Sequence, residues 1–331
     1  MFKEQRLKLM FKPSAICILF YSMLLSWAVH ATDVSPRIIG GSAVTTEVYP
    51  WQVALVGADS ALSLFSTQSC GGAIIHQRWV VTAAHCFDES LSSSLYPRRV
   101  VIGLLDFDKT DSEDYEIINI KRVFIHPNFN KGISLNNDIA LVELAESIDM
   151  TLCNASGSCV IPVIDGNIES SIIPNGKKAV ISGWGSIKRT ETYSYPSVLQ
   201  ATEVNLLNCL DSRVSNYQSR DISANMICAQ AAGRDTCSGD SGGPLAVDVS
   251  GVGFTLVGLT SWGPAACATD REPGVYTRLA NYGAWLNEMS NNELNVPECE
   301  RCSQRTQFTN TGFTGDSDSG SFSFSLLLSL M

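Results

Sequence analysis

The sequence predicts an all-β protein, a barrel or a sandwich, with a single α-helix near the end of its folded region. Short apolar runs rich in β-branched residues recur from Ile38 to about Ala280, and Gly, Pro, Asn and Asp separate them. Clear helical spacing occurs once, late in the chain. Many short strands followed by one helix favour a closed or double-layered β architecture.

The predicted strands include the apolar runs VVIGLLDF (100–107), DIALVEL (138–144), KAVISGW (178–184) and FTLVGLTSW (254–262). The predicted helix has Tyr282, Trp285, Leu286 and Met289 at positions i, i+3, i+4 and i+7, which places them on one face. The sequence shows no internal repeat.

Bulk composition limits the class of protein. The 331 residues fit one large domain or two ordinary ones, and a hydrophobic content of 45% suffices for a sizeable core. The net charge of -10, without a basic patch or an arginine-rich run, argues against a nucleic-acid partner.

The amino terminus resembles a secretory signal. A basic stretch, MFKEQRLKLMFKPSA, precedes the apolar run ICILFYSMLLSWAVHA, and Val29 and Ala31 suit the small-residue positions before a cleavage site. The alternative is a membrane anchor, but the apolar run is about sixteen residues, short of the roughly twenty that span a bilayer. We therefore expect residues 1–31 to be removed and the protein to be secreted.

Cysteine usage fits an oxidising compartment. The chain has eleven cysteines, and Cys17 lies in the signal. The remaining ten are an even number, as a disulfide framework requires.

Two stretches concentrate reactive side chains. Of the histidines outside the signal (His76, His85 and His126), His85 is set in VVTAAHCF, where an apolar run leads into small residues and a cysteine. The stretch GRDTCSGDSGGPL (233–245) packs Asp235, Asp240 and Ser241 among four glycines. A serine becomes a nucleophile when a neighbouring base takes its proton, and His85 is the candidate base.

Four motifs occur in a diagnostic order: RIIGG (37–41), TAAHC (82–86), NNDIALVEL (136–144) and GDSGGP (239–244). From Ile38 to about Asn292 the chain thereby resembles a trypsin-like serine protease of the chymotrypsin family. The resemblance implies two six-stranded antiparallel β-barrels with a C-terminal α-helix and a catalytic cleft between the barrels. It implies a serine endopeptidase that uses no cofactor and no metal.

The resemblance also assigns catalytic roles. Ser241 would be the nucleophile and His85 the general base, with Asp138 accepting the other imidazole N–H. The backbone N–H groups of Gly239 and Ser241 would form the oxyanion hole.

The same family pattern assigns substrate-binding residues. Asp235 would lie at the base of the specificity pocket and select Arg or Lys, and Gly263 and Gly274 would leave room in the pocket walls. The backbone of Ser261, Trp262 and Gly263 would pair with substrate as an added strand.

Activation is expected at the Arg37–Ile38 bond, which makes 32–37 a short pro-segment. A buried carboxylate needs a partner, and the resemblance implies that the partner of Asp240 is the new α-amino group of Ile38. Arg37 itself suits an acidic pocket, so the enzyme itself is one candidate for the activating protease. Lys188 and Arg189 are expected self-cleavage sites.

The disulfides implied by the resemblance are Cys70–Cys86, Cys209–Cys228 and Cys237–Cys267. Cys153 and Cys159 bracket the short loop NASGS and are expected to join locally; Asn154 begins a glycosylation sequon there. For CERC at 299–302 a local bridge Cys299–Cys302 is favoured, with a redox or zinc half-site as the alternative.

Two regions depart from the family pattern. The segment WGPAACATDREPGVYT is about one residue longer than in common trypsins, with Pro264 and Ala266 near the pocket rim. Leu104 stands where many trypsins begin a calcium loop with Glu. The acids that follow (106, 108, 111, 113 and 114) are interpreted as a solvated acidic loop, with a cation site as the alternative.

The signal pattern gives residues 1–31, the resemblance implies a pro-segment (32–37) and a protease domain (38–292), and a shift in composition marks a polar linker with a short apolar tail (293–331). The tail leaves three alternatives open: a lipid-anchor signal, a bacterial sorting tail, or an end without a role. We expect a secreted or extracellular protein, with cell-surface anchoring through the tail as an alternative.

The expected partners are protein or peptide substrates with Arg or Lys at the cleaved bond, an activating protease and protein protease inhibitors, with the enzyme itself a monomer. The sequence argues against two other functions. A catalytically inactive binding module is disfavoured because the triad and the activation site are both present, and a preference for large apolar residues is disfavoured by Asp235.

Overall fold

The computed structural model of the protein describes residues 38–44, 48–110, 114–153, 159–188, 194–211, 215–218, 221–264 and 266–299. Within this part of the chain there are thirteen strands and three short α-helices. The strands are β1 Ser42–Ala43, β2 Gln52–Val56, β3 Gln68–His76, β4 Trp79–Thr82, β5 Arg99–Ile102, β6 Glu116–Ile125, β7 Ala140–Leu144, β8 Lys178–Gly183, β9 Gln200–Leu207, β10 Met226–Gln230, β11 Pro244–Val249, β12 Gly253–Trp262 and β13 Gly274–Arg278. The helices are α1 Leu64–Thr67, α2 Glu169–Ile172 and α3 Gly283–Met289.

The first six-stranded sheet of the described chain closes on itself in the order β2-β3-β4-β7-β6-β5, with every pair antiparallel. Strands β2, β4 and β7 are buried along their whole length. Most of their side chains are Val, Leu, Ala or Trp and belong to the apolar core. This barrel carries the turn and the loop that hold His85 and Asp138.

The second barrel follows the order β9-β10-β13-β12-β11-β8 and closes through pairing of β8 with β9, and β1 adds an edge strand to β9. The register of β12 against β13 shifts between Thr260 and Trp262. Such a bulge bends a strand and re-aims its side chains. Here it lies at Ser261, which contacts the candidate catalytic residues described below.

The predicted fold class, two six-stranded antiparallel barrels with a C-terminal helix, is confirmed. The observed strands differ from the predicted ones mainly in length. The run 100–107 is a strand only as far as Ile102, because Gly103 has φ +81° and turns the chain away. No described helix is long and apolar enough to cross a membrane.

The expectation of a single helix is wrong, because α1 and α2 form as well. Each has four residues, too few to show a helical period in sequence, so each depends on local contacts. The Ser63 Oγ accepts the Ser66 N–H and caps α1. In α2, the buried Glu169 pairs with Arg278 of β13.

The described chain continues past α3 and packs back on the domain. Asn287 of α3 donates from Nδ2 to the carbonyl of Val296 at 2.8 Å and accepts the Val296 N–H at 2.8 Å. Trp79 Nε1 donates to Glu293 at 2.8 Å. Residues 293–299, which composition assigns to a linker, therefore contact both α3 and the first barrel.

Candidate active site

His85 lies in the 3-10 turn Ala84–Phe87 that follows β4. Its Nδ1 lies 2.7 Å from Asp138 Oδ2, and its backbone N–H donates to Asp138 Oδ1 at 2.9 Å. The next residue, Cys86, forms a disulfide with Cys70 of β3. The imidazole is therefore held by one carboxylate and its turn by a covalent link to the barrel.

Asp138 is 1% exposed and lies just before β7. Besides the two contacts with His85, its Oδ2 accepts the Ser261 hydroxyl at 2.5 Å, and its backbone carbonyl accepts the Thr277 hydroxyl at 2.6 Å. Ser261 and Thr277 belong to β12 and β13 of the second barrel. Hydrogen bonds from both barrels therefore fix this carboxylate in place beside the imidazole, where a carboxylate can stabilise an imidazolium.

Ser241 lies in the tight turn before β11. Its carbonyl accepts the Gly71 N–H at 2.8 Å and lies 3.8 Å from Cys86 Sγ. The Cys70–Cys86 disulfide therefore lies against the backbone of the candidate nucleophile. His85, Asp138 and Ser241, far apart in sequence, are gathered at the junction of the two barrels.

Gly239, two residues before Ser241, has φ +98°, a conformation that L side chains rarely adopt. A Cβ at this position would lie 3.1 Å from Gly185 Cα and 3.2 Å from the ring of Tyr195. Within the described chain, neither the Gly239 N–H nor the Ser241 N–H has a hydrogen-bond acceptor. Both amides are therefore available to a ligand oxygen.

Asp235 lines a cavity of about 250 Å³ together with Ser241, Ser261, Trp262 and Gly263. Its side chain is buried, and its Oδ2 accepts the Ala268 N–H at 2.9 Å, while Oδ1 has no partner among the described residues. Burial raises the pKa of Asp235 to about 6, and hydrogen bonds from Ala268 and Thr236 offset part of that rise.

Two glycines keep this cavity open. A Cβ on Gly274 would lie 2.8 Å from Asp235 Oδ1, and a Cβ on Gly263 would lie 3.8 Å from Gly274 Cα. A side chain on Gly274 would therefore collide with the Asp235 carboxylate, and one on Gly263 would point toward the Gly274 backbone. Pro264 also lines the cavity, whereas Ala266 is absent from its described lining.

A second hollow of about 380 Å³ lies beside Trp262, lined by Ile133, Leu135, Tyr217 and Asp221 among others. The Tyr217 and Trp262 ring centroids are 5.0 Å apart. Sequence reasoning missed this hollow, as it missed the hydroxyls of Ser261 and Thr277 on Asp138. No local pattern marks these residues, because their proximity arises only when loops from both barrels meet.

Asp240 is 1% exposed, and its two carboxylate oxygens accept the N–H groups of Gly185 at 2.8 Å and Cys237 at 2.9 Å. Burial raises its pKa to about 7. A Cβ on Gly185 would collide with this carboxylate. Ile38 is fully buried in the apolar core, while Arg37 lies outside the described residues.

Four disulfides join described cysteines: Cys70–Cys86, Cys153–Cys159, Cys209–Cys228 and Cys237–Cys267. The last encloses the segment that carries Ser241, and Asp235 lies two residues before its first cysteine. The expected bridge Cys299–Cys302 includes Cys302, which lies outside the described residues, as does Arg189 of the expected self-cleavage sites.

The acidic loop that starts at Leu104 is described in part. Asp106 accepts the Asp108 N–H at 3.0 Å and lies 3.6 Å from Lys109 Nζ, so its carboxylate is engaged by the loop itself. Residues 111–113 lie outside the described part of the chain.

Comparison with known proteins identifies a matching family and similar sequences. The family model described as Trypsin matches residues 38–286. The chain is 34% identical over 259 residues to pig trypsin (Sus scrofa), a match covering 78% of this chain and 97% of that protein. It is 32% identical over 290 residues to the renal glandular kallikrein of Mastomys natalensis, covering 83% and 98%. It is 32% identical over 281 residues to rabbit vitamin K-dependent protein C (Oryctolagus cuniculus), covering 80% of this chain but only 55% of that longer protein.

Proposed function

This chain belongs to the trypsin family of serine endopeptidases, and from that premise we propose that it is a secreted protease that hydrolyses peptide bonds after Arg or Lys. It is made as a zymogen and activated by cleavage between Arg37 and Ile38. Its expected partners are protein substrates, an activating protease and protein protease inhibitors. The enzyme itself is one candidate for the activating protease. It acts as a monomer.

The observation that carries the Arg/Lys preference is the unpaired Oδ1 of Asp235 in the cavity that Ser241 also lines. An isolated buried carboxylate is costly, and a cationic side chain with N–H donors removes that cost. The missing side chains at Gly263 and Gly274 leave the approach to this oxygen clear. An apolar substrate group would leave the carboxylate unpaired, which disfavours it.

The proposed chemistry proceeds through an acyl-enzyme. Ser241 Oγ attacks the scissile carbonyl carbon while His85 Nε2 takes its proton, and the N–H groups of Gly239 and Ser241 stabilise the oxyanion. His85 then gives that proton to the leaving amine. Water repeats the attack with His85 again as base, which releases the acid and restores Ser241. Asp138 holds the imidazole throughout, as its 2.7 Å contact supports.

The proposed activation rests on Asp240. In the uncut chain its carboxylate is buried with two amide donors and no cation among the described residues, and its pKa is about 7. Cleavage before Ile38 would create an ammonium group on a residue that is already buried. That group would pair with the carboxylate and stabilise the turn holding Gly239 and Ser241.

The test is a cleavage assay on purified protein before and after limited trypsin treatment, with peptide substrates ending in Arg, Lys or Phe, together with N-terminal sequencing. We expect activity toward Arg and Lys substrates to appear together with a new Ile38 terminus. The Ser241→Ala protein is the control and should be cut but inactive.

Two outcomes would contradict the proposal. Cleavage before Ile38 without activity on any of the three substrates would favour a catalytically inactive binding module. Faster hydrolysis of the Phe substrate would refute the role of Asp235.

A further inference from the structure

Gln68, the first residue of β3, makes a long-range contact with the turn before Ser241. Its side-chain amide Nε2 donates to the carbonyl of Gly239 at 3.0 Å and to the carbonyl of Cys70 at 3.2 Å. The first bond joins residues 171 positions apart and links the first barrel to the second.

Gly239 needs such a contact because it has no side chain to fix its position. Glycine adopts a φ of +98° at little cost, and it also changes to other conformations easily. Its N–H has no acceptor within the described chain, so the bond from Gln68 to its carbonyl holds this residue in place.

The start of β3 holds both ends of this short turn. Gln68 binds the Gly239 carbonyl through its side chain, and Gly71 binds the Ser241 carbonyl through its backbone N–H at 2.8 Å. The two carbonyls are bound by β3, and the N–H groups of the same two residues have no acceptor among the described residues. These are the two N–H groups of the proposed oxyanion hole.

We propose that Gln68 is a positioning residue that holds Gly239 with its N–H directed at the developing oxyanion. This inference rests on the proposed function. Gln68 contacts no reacting atom and acts through the peptide that it binds. Its contribution should therefore appear in the transition state and in tetrahedral adducts, and not in occupation of the Asp235 pocket.

The test compares Gln68→Met, which keeps the length of the side chain but removes its donor, with the wild-type enzyme after activation. One neutral hydrogen bond corresponds to roughly a threefold to tenfold effect. We expect kcat for an Arg peptide amide to fall by that factor with KM unchanged, as for an interaction made only in the transition state. Gln68→Glu, which faces two carbonyl oxygens with a carboxylate, should lose more.

Two probes separate positioning from general damage. A peptide arginine aldehyde forms a tetrahedral adduct with Ser241 and needs the oxyanion hole, whereas benzamidine occupies only the acidic pocket. In Gln68→Met the aldehyde should bind threefold to tenfold more weakly and benzamidine within twofold of wild type. Gln77→Ala, at the exposed turn that ends the same strand, is the matched control and should change neither probe.

The outcomes distinguish this inference from the proposed function. Wild-type enzyme that cleaves Arg substrates, with Gln68→Met and Gln68→Glu both unchanged in kcat and aldehyde affinity, would overturn the inference alone. Equal loss of aldehyde and benzamidine binding would also overturn it, since that marks a structural defect. Wild-type protein that neither cleaves Arg substrates nor binds the aldehyde would overturn both.

Discussion

Three buried aspartates at the active site differ in how their carboxylates are satisfied. Asp138 accepts hydrogen bonds on both oxygens, from His85 and Ser261. Within the part of the chain that the structure describes, Asp235 has one satisfied oxygen and one without a partner, and Asp240 has one amide donor on each oxygen. The residue with an open oxygen is the one that lines the cavity, which suits it to bind a ligand cation.

At the residue scale, the raised pKa of Asp235 predicts pH-dependent binding of benzamidine. The free carboxyl has a pKa of about 6, and the cation binds only the ionised form. Affinity should be constant above about pH 7 and fall roughly tenfold per pH unit well below pH 6. Titration calorimetry from pH 5 to pH 8 measures this.

Asp235→Asn is the matched variant for that measurement, because it keeps the shape and loses the charge. It should bind benzamidine roughly 10²–10⁴-fold more weakly than the wild-type protein does. Its affinity should not fall as the pH is lowered through 6. A wild-type affinity that is flat down to pH 5 would contradict the raised pKa.

At the element scale, ion pairing fixes a helix that is too short to form by itself. Both guanidinium-to-carboxylate bonds between Arg278 and Glu169 of α2 are short, at 2.7 and 2.6 Å, and the Glu169 side chain is 0% exposed. A four-residue helix has little intrinsic stability. The pair therefore attaches α2 to the end of β13.

We predict that Glu169→Gln lowers the free energy of unfolding by about 3 kcal/mol or more, because it leaves the Arg278 charge buried without its partner. Urea unfolding at neutral pH measures the change. The control is Glu203→Gln, which breaks the exposed pair with Lys178 (side chains 51% and 70% exposed) and should cost less than about 1 kcal/mol. Similar losses in the two variants would refute the structural role of the buried pair.

At the scale of the whole molecule, the active site exists because the two barrels meet. His85 and Asp138 come from the first barrel, and Ser241 and Asp235 come from the second. Hydrogen bonds from Ser261 and Thr277 to Asp138, and from Gln68 to Gly239, cross that boundary.

The buried Asp240 predicts how the stability of the uncut chain varies with pH. Its pKa is about 7 when folded and about 3.9 when unfolded, so the unfolded state loses its proton first. This group therefore lowers the free energy of unfolding as the pH rises from about 4 to about 7, by up to about 1.4 kcal/mol per pH unit. Below pH 4 the penalty disappears.

The measurement is denaturant unfolding of Ser241→Ala protein, which prevents self-cleavage, with and without Asp240→Asn. The stability advantage of Asp240→Asn in the uncut chain should grow from pH 4 to pH 7. After cleavage before Ile38 the order should reverse at neutral pH, because the new ammonium group pairs only with the carboxylate. Parallel stability curves for the uncut proteins would disprove the raised pKa.

The sequence by itself determined the fold class, the family and the identity of the candidate catalytic groups. Strand runs and the four ordered motifs are local patterns, so they can be recognised without knowing what lies across the cleft. It could not predict α1 or α2, because four residues are too few for a helical period.

Tertiary structure alone decided the contacts between distant segments. Asp138 meets His85 across 53 residues and Thr277 across 139, and Gln68 meets Gly239 across 171. The unpaired Oδ1 of Asp235 likewise depends on which backbone amides surround it. The bonds from Thr277 to Asp138 and from Gln68 to Gly239 form only after the two closed barrels pack together, because neither barrel contains both partners. His85 and Asp138 lie in the first barrel and meet when that barrel closes.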